Sequence, residues 1–232
     1  MSFSLRDPSF VSRLNRVAAA AGGAITDSPS NYASLSQWFK ADSLALTDGA
    51  LVGTWVDSSP VVNTVSGGGT ARPTFKTNIV GTLPVVRCTA LNHLDGNNWN
   101  RGASSSFTVM FVLNGATSEN SAPWSGGTAN YARIASANTA SLTLSTIVAS
   151  SAFGSALSVR GLTVIRRSTN AVSFFENNTA QGTATCSGSG YAGQVGNMAG
   201  DICEIVTYDV ARSDADLTAL YNNYFKPKWN LP

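Results

Sequence analysis

Charged side chains are scarce in this chain of 232 residues. Lys, Arg, Asp and Glu make up 12% of it, about half the usual share in globular domains. The 15 basic and 13 acidic residues leave a net charge of +2 at pH 7, which excludes a field strong enough to attract nucleic acid. A polar but nearly uncharged surface favours secreted, virion and adhesive proteins over cytosolic enzymes.

Histidine clusters, cysteine frameworks and long apolar runs are also missing. His93 is the only histidine, which excludes a multi-histidine metal site. No nucleophile motif surrounds it, so we expect an exposed loop residue. The three widely spaced cysteines, Cys88, Cys186 and Cys203, cannot all pair, and we expect buried thiols. No apolar run reaches the roughly 18 residues of a membrane span, and an Ala/Gly-rich stretch near the start lacks the Leu-rich core of a signal peptide. Membrane insertion and secretion by a signal peptide are therefore not expected.

The chain divides into an N-terminal arm and linker (1–30) and one larger domain (31–232). Apolar residues recur at helical spacing in the arm, and a Gly pair ends the predicted helix. This helix either packs on the domain or docks on a partner or a sister subunit. The candidate docking residues are Phe10, Leu14, Val17, Arg13 and Arg16.

The larger domain is predicted to be all-β. Short apolar runs bounded by Gly, Ser, Asn and Pro predict strands at 81–90, 106–115, 140–149, 161–170, 171–180 and 200–209. The run at 106–115 is apolar on both faces, so we expect it at the centre of a sheet, and 161–180 reads as a hairpin. Residues 35–44 are interpreted as a short helix or turn. Many short strands with frequent turns predict a two-sheet antiparallel β-sandwich, or jelly roll.

A short helix is predicted near the C-terminus. Ser213 stands at the N-cap position with Asp216 three residues later, a variant of the capping box. Pro227 is expected to end the helix. The strand before it is expected in the sandwich interior, and the helix is expected to cover an end or an edge of the sheets. The predicted buried stripe is Leu217, Leu220, Tyr221 and Tyr224.

Several motifs resemble one superfamily. They are Trp38 with Ala41 and Asp42, Trp55 with Asp57, the Arg-Pro-Thr-Phe segment at 72–75, the Pro-Val-Val-Arg strand at 84–87 and the closing segment 200–224. Together they resemble the laminin-G-like branch of the concanavalin A-like lectin/glucanase superfamily, in the variants found in phage and bacterial surface proteins. The resemblance implies a sandwich over about 35–228. It does not fix a function, because the superfamily includes lectins, glycosidases, adhesion modules and inert virion parts.

No catalytic residues are predicted. Glycoside hydrolysis needs two carboxylates about 5–10 Å apart, and the Glu-x-Asp-x-Glu strand of superfamily glucanases is missing. Asp201 and Glu204 are three residues apart, so an unbroken strand would point them to opposite faces. We expect Glu204 to accept structural hydrogen bonds, and we expect no enzyme.

A candidate glycan site is predicted at two tryptophans in polar, Gly-rich segments. If exposed, Trp99 or Trp124 could stack on a sugar ring, although packing in the core is the alternative. Polar partners would come from Asn97, Asn98, Asn100 and Arg101. Asp95 with two of these asparagines could hold Ca²⁺, but the Asp-x-Asp series of a calcium loop is missing. No metal site and no cofactor are therefore predicted.

These observations favour a non-enzymatic bacteriophage virion protein, either a capsid decoration (cement) protein or a fibre or tail appendage. Its predicted partners are major capsid or tail proteins and further copies of itself. It would be made in the host cytoplasm and lie on the virion surface. The alternative is a carbohydrate-binding adhesin or receptor-binding module, and the two roles overlap. A glycosidase is the third and weakest hypothesis.

Overall fold

The computed structural model describes residues 24–67, 72–89, 92–101, 105–116, 121–125, 130–136, 139–144, 147–152 and 160–232. They form two antiparallel sheets that face each other. This confirms the predicted sandwich. The N-terminal docking residues lie outside the described ranges.

Sheet A has eight strands. Its order is β14-β13-β12-β7-β16-β5-β4, and β1 pairs with β16 beyond the end of β5. The predicted hairpin is β12–β13, and the predicted central strand is β7. The strands are β1 (Leu35–Lys40), β4 (Thr74–Val80), β5 (Leu83–Cys88), β7 (Phe107–Asn114), β12 (Gly161–Ser168), β13 (Ala171–Glu176), β14 (Thr179–Thr185) and β16 (Gly200–Tyr208).

Sheet B also has eight strands, in the order β11-β10-β9-β8-β15-β6-β3-β2. Within the described ranges β2 is therefore an edge strand. The strands are β2 (Thr54–Val56), β3 (Thr64–Ser66), β6 (His93–Arg101), β8 (Ser121–Ser125), β9 (Asn130–Ser136), β10 (Thr139–Leu144), β11 (Ile147–Ala152) and β15 (Gly190–Gly196).

The main core lies between the two sheets. Phe107, Val109 and Phe111 point into it from sheet A, and Leu94 and Trp124 point into it from sheet B. Strand side chains alternate between the two faces of a sheet. The strand neighbours of these core residues therefore face away from the core. Full burial of one large apolar side chain contributes about 1.5–3 kcal/mol, so this layer is the main source of stability.

The C-terminal helix makes a third layer on the outer face of sheet A. It starts as α-helix (Asp214–Leu220), passes through a π-helical stretch (Tyr221–Phe225) and ends as α-helix (Lys226–Trp229). The Ser213 side chain accepts a hydrogen bond from the Asp216 backbone N–H, which confirms the cap. A second apolar cluster joins the helix to this sheet, with Met110 and Val112 among its members. The central strand is buried on both faces for this reason.

Two expectations about this region are wrong. The helix covers a face of sheet A, whereas the sequence predicted that it would cover an end or an edge of the sheets. It also continues through Pro227, because that residue lies in the first turn after the π-helical stretch, where a missing N–H is tolerated. The four residues of the predicted stripe are all buried, as expected.

The prediction of a short helix or turn at residues 35–44 is also wrong. Leu35–Lys40 is strand β1, and only Ala41–Ser43 forms a short 3₁₀ turn. Burial of nearly every residue of β1 hides the alternation that normally marks a strand.

The cysteine prediction is confirmed. Cys88, Cys186 and Cys203 are buried free thiols. Burial raises the pKa of the Cys88 thiol to about 12, so this group stays neutral at ordinary pH.

Candidate functional site

A row of short polar side chains crosses the outer face of sheet B. Six residues of this sheet point into the core, so their strand neighbours point outward. They are Trp55, Val65, Leu94, Trp124, Leu142 and Val195. Backbone pairing places six of these neighbours in line across the sheet. The polar row is Thr143, Ser125, Gln194, Asp95, Ser66 and Thr54, and Tyr131 of β9 occupies the register position between the first two.

Three members of the polar row are hydrogen-bonded in series. The Ser125 hydroxyl donates to Gln194 Oε1 at 3.2 Å, and Gln194 Nε2 donates to Asp95 Oδ1 at 3.1 Å. His93 Nε2 lies 3.5 Å from the same carboxylate oxygen. The Asp95 side chain nevertheless remains 61% exposed. The arrangement therefore holds a solvent-facing carboxylate and a carboxamide in fixed positions.

Thr143 adds an unused hydrogen-bonding group on β10. Its side chain is outward-facing but only 4% exposed, and Ser125 in the same row is 1% exposed. Its hydroxyl has no hydrogen-bond partner within the described ranges. An unpaired buried hydroxyl is costly. This end of the row is buried, and the accessible part begins at Gln194 and Asp95.

The predicted glycan residues around Trp99 lie in strand β6, where a polar loop was expected. Asp95 pairs with Gln194 and Trp99 pairs with Ala192, so β6 holds two extra residues between these pairs. Gly96 takes φ +103° within this irregular stretch, a conformation that favours glycine. The Trp99 backbone therefore lies beside the polar row, together with those of Asn97, Asn98, Asn100 and Arg101.

Trp124 is not a sugar platform. It lies in β8, its side chain is fully buried in the main core, and its indole N–H donates to Gln37 Oε1 at 3.3 Å. The expectation of an exposed Trp124 is therefore wrong. Its flanking Ser and Pro suggested a loop, but Trp124 occupies an inward position of a strand.

His93 is likewise on a strand, at the start of β6, with its side chain 30% exposed. The loop predicted for it is not observed. Its position beside Asp95 makes it part of the surroundings of the polar row.

The buried acid Glu204 has a structural environment. Its Oε1 accepts from Trp38 Nε1 and from the Tyr224 hydroxyl, the latter at 2.8 Å. Its Oε2 accepts from Trp229 Nε1 at 2.7 Å and from Lys228 Nζ at 2.9 Å. Burial and the adjacent carboxylate raise the pKa of Tyr224, so this hydroxyl stays a donor. Glu204 accepts structural hydrogen bonds, as expected.

A β-bulge corrects the predicted geometry of Asp201 and Glu204. Ile202 pairs with Leu113 and Glu204 pairs with Val112, which leaves Cys203 as an extra residue. One extra residue reverses the alternation, so both acids lie on the outer face of sheet A. Asp201 accepts from Arg87 at 2.7 and 3.0 Å and from Asn114 at 3.1 Å. Each acid is thus held by cationic and neutral donors.

The described ranges contain neither a cluster of metal ligands nor a helix that could span a membrane. No group of three or more His, Cys, Asp or Glu side chains comes together there. None of the helices that the structure describes is both long and apolar enough to span a bilayer.

A cavity of about 610 Å³ lies at the β2 end of the polar row. Thr54 belongs both to the row and to the cavity wall. The other lining residues are Ser43, Leu44, Ala45, Leu46, Gly53, Val56, Asp57 and Ser58. This volume is within the range of about 300–1,000 Å³ that is usual for ligand pockets.

No protein-family model and no curated protein sequence matches the chain. Solved structures match it in fold. Domain 4 of AbnA, an extracellular GH43 arabinanase from Geobacillus stearothermophilus in complex with arabinotriose, is 11% identical with a TM-score of 0.53, over 75% of this chain and 100% of that one.

Two further matches are longer proteins. The binding domain of botulinum neurotoxin DC in complex with SialylT is 12% identical with a TM-score of 0.58, over 82% of this chain and 51% of that one. Trypanosoma rangeli sialidase is 8% identical with a TM-score of 0.50, over 92% of this chain and 37% of that one. The chain thus spans about half of the first and just over a third of the second. The likeness shows a shared β-sandwich fold.

Proposed function

We propose that the chain is a non-catalytic carbohydrate-binding β-sandwich module whose binding surface is the polar row of sheet B. The observation that carries the proposal is the series Ser125–Gln194–Asp95, in which hydrogen bonds of 3.2 and 3.1 Å fix a half-buried carboxamide and an exposed carboxylate. Sugar hydroxyls donate and accept hydrogen bonds, and such fixed groups match that need. Two of the structurally similar domains were solved with arabinotriose and with SialylT, which supports this ligand class.

Catalysis is not part of the proposal. Hydrolysis would require a second carboxylate opposite Asp95 at about 5–10 Å. Glu204 and Asp57 are buried acids whose oxygens are all occupied by donors. We therefore expect binding without turnover.

Binding is tested on a glycan array, followed by calorimetric titration of the best neutral ligand. Gln194→Ala removes the central amide, and we expect about tenfold weaker binding, equivalent to about 1.4 kcal/mol. Trp99→Ala tests the contribution of this residue, whose backbone lies in β6 beside the row. Asp48→Ala is the matched control, because it removes an exposed carboxylate that pairs with Lys76 of sheet A. No binding on the array, or equal binding by Gln194→Ala, would contradict the proposal.

The virion role stays a prediction based on the sequence resemblance. A decoration protein or fibre appendage could carry this module as its glycan-binding part, with the N-terminal arm as the attachment. Mass spectrometry of purified phage particles tests it, and absence of the chain from the particles would contradict it.

A further inference from the structure

The cavity beside β2 continues the polar row. Pairing of β6 with β3 and of β3 with β2 carries the row from Asp95 through Ser66 to Thr54. At about 4.8 Å between strands, this last part spans about 10 Å, and the whole row from Thr143 spans about 29 Å. Thr54 then forms part of the cavity wall. A ligand lying along the row would therefore enter the cavity.

One wall of the cavity is held in place by hydrogen bonds. The Asp57 carboxylate accepts from the backbone N–H groups of Trp38 and Ser59, at 2.6 and 2.7 Å. It also accepts from the Ser59 hydroxyl at 2.6 Å, and Ser58 N–H donates to Trp38 O at 2.8 Å. Because these bonds tie this wall to β1, a ligand in the cavity meets a wall with a fixed position.

Among the residues that the structure describes, the lining is partly apolar and carries no cationic side chain. Leu44, Leu46 and Val56 supply aliphatic surface, and Ser43, Thr54 and Ser58 supply hydroxyls. Asp57 is the one charged residue of this described lining, and both of its carboxylate oxygens accept hydrogen bonds. The Arg72 guanidinium lies beside Gly53 and is not part of the lining. Burial of an anionic sugar without a cationic partner is unfavourable. A sugar with an apolar ring face and neutral hydroxyls fits this lining.

We propose that this cavity binds the terminal residue of a neutral oligosaccharide, so that the module recognises chain ends. The inference rests on the proposed function, because the polar row supplies the path of the chain. The polar row contacts the sugar residues that precede the terminal one, and the cavity binds the terminal sugar residue of the oligosaccharide.

The test uses a filling substitution and a matched control. Val56 is 50% exposed and lines the cavity, whereas Val61 is 60% exposed and is not among the lining residues. Val56→Trp places a large ring in the cavity, and an aromatic residue is compatible with strand β2 at this position. Val61→Trp adds the same ring outside the cavity lining. Circular dichroism verifies the fold of each variant.

The probes are arabinotriose, cellotriose and maltotriose as neutral ligands, 3′-sialyllactose as the acidic one, and a long linear chain of the neutral sugar that binds. We expect one module per long chain by calorimetry, at least tenfold weaker binding by Val56→Trp, and wild-type affinity for Val61→Trp. Several modules per long chain, or wild-type affinity in Val56→Trp, would overturn end recognition. If Gln194→Ala still weakens binding in that case, the polar row stands and only the cavity inference fails. If no probe binds, both fail.

Discussion

Replacement of Glu204 by Gln should destabilise the protein more than any change to a surface ion pair. The carboxylate is fully buried and accepts from four donors on two elements: Trp38 of β1 and Tyr224, Lys228 and Trp229 of the C-terminal helix. Glutamine keeps one acceptor oxygen but turns an NH₂ group toward two of these donors. It also removes one of the two carboxylates that pair with the largely buried Lys228, which keeps Asp42 at 3.1 Å.

The expected cost is about 3–5 kcal/mol, because one carboxylate of a buried ion pair is removed and two buried donors lose their acceptor. For a chain of this size, 1 kcal/mol shifts the melting temperature by about 2–4 °C, so we expect a decrease of about 6–20 °C. Urea unfolding followed by circular dichroism measures the free energy, and thermal unfolding measures the shift.

Two further variants decide whether the reasoning is right. Asp48→Asn breaks the exposed pair with Lys76 and should leave the free energy of unfolding close to that of wild type. Glu204→Gln combined with Lys228→Met should cost less than the sum of the single changes, because the two residues interact directly. A Glu204→Gln protein within about 1 kcal/mol of wild type would refute the assignment of Glu204 as the anchor of the helix.

Three further outcomes follow from burial and capping. Folding raises the pKa of Cys88 from 9.0 to about 12 through burial, so the unfolded chain loses this proton first. Unfolding free energy should therefore be constant below about pH 9 and then fall by about 1.4 kcal/mol per pH unit for this group. Urea titrations at pH 8 and pH 10 check it; a smaller fall in Cys88→Ala supports the assignment, and equal stability at both values contradicts it. Ser213→Ala removes the cap bond to Asp216 and should cost about 1 kcal/mol by urea unfolding, whereas no loss would show that the cap is dispensable. Native protein at pH 8 should resist a thiol reagent at all three cysteines until urea is added, and rapid labelling would contradict their burial.

Local patterns were sufficient for much of the fold. The central strand β7 was predictable from its apolar residues, and the β12–β13 hairpin from two β-rich runs around a turn. The cap at Ser213 was predictable because its bond spans three residues. In each case the interaction that determines the structure joins residues that are close along the chain, or the structure follows from the composition of one segment.

The missed features depend on long-range pairing. An extra residue at Cys203 changes the face of Glu204, yet no local residue pattern marks it. The polar strand β6 lacks apolar alternation, and its pairing with β15 joins positions about a hundred residues apart. The polar row could not be assembled for the same reason. The one available signal was the alternation in β15, which makes Gln194 the outward neighbour of inward Val195.

The placement of the N-terminal segment bears on how such a module would be displayed. The Tyr208 hydroxyl donates to Pro29 O at 2.9 Å, and Thr26 N–H donates to Asn223 O at 3.1 Å. Residues 26–29 are thereby fixed against β16 and the C-terminal helix, on the outer side of sheet A. The polar row lies on the outer side of sheet B. The described chain therefore enters the module on the side opposite the polar row.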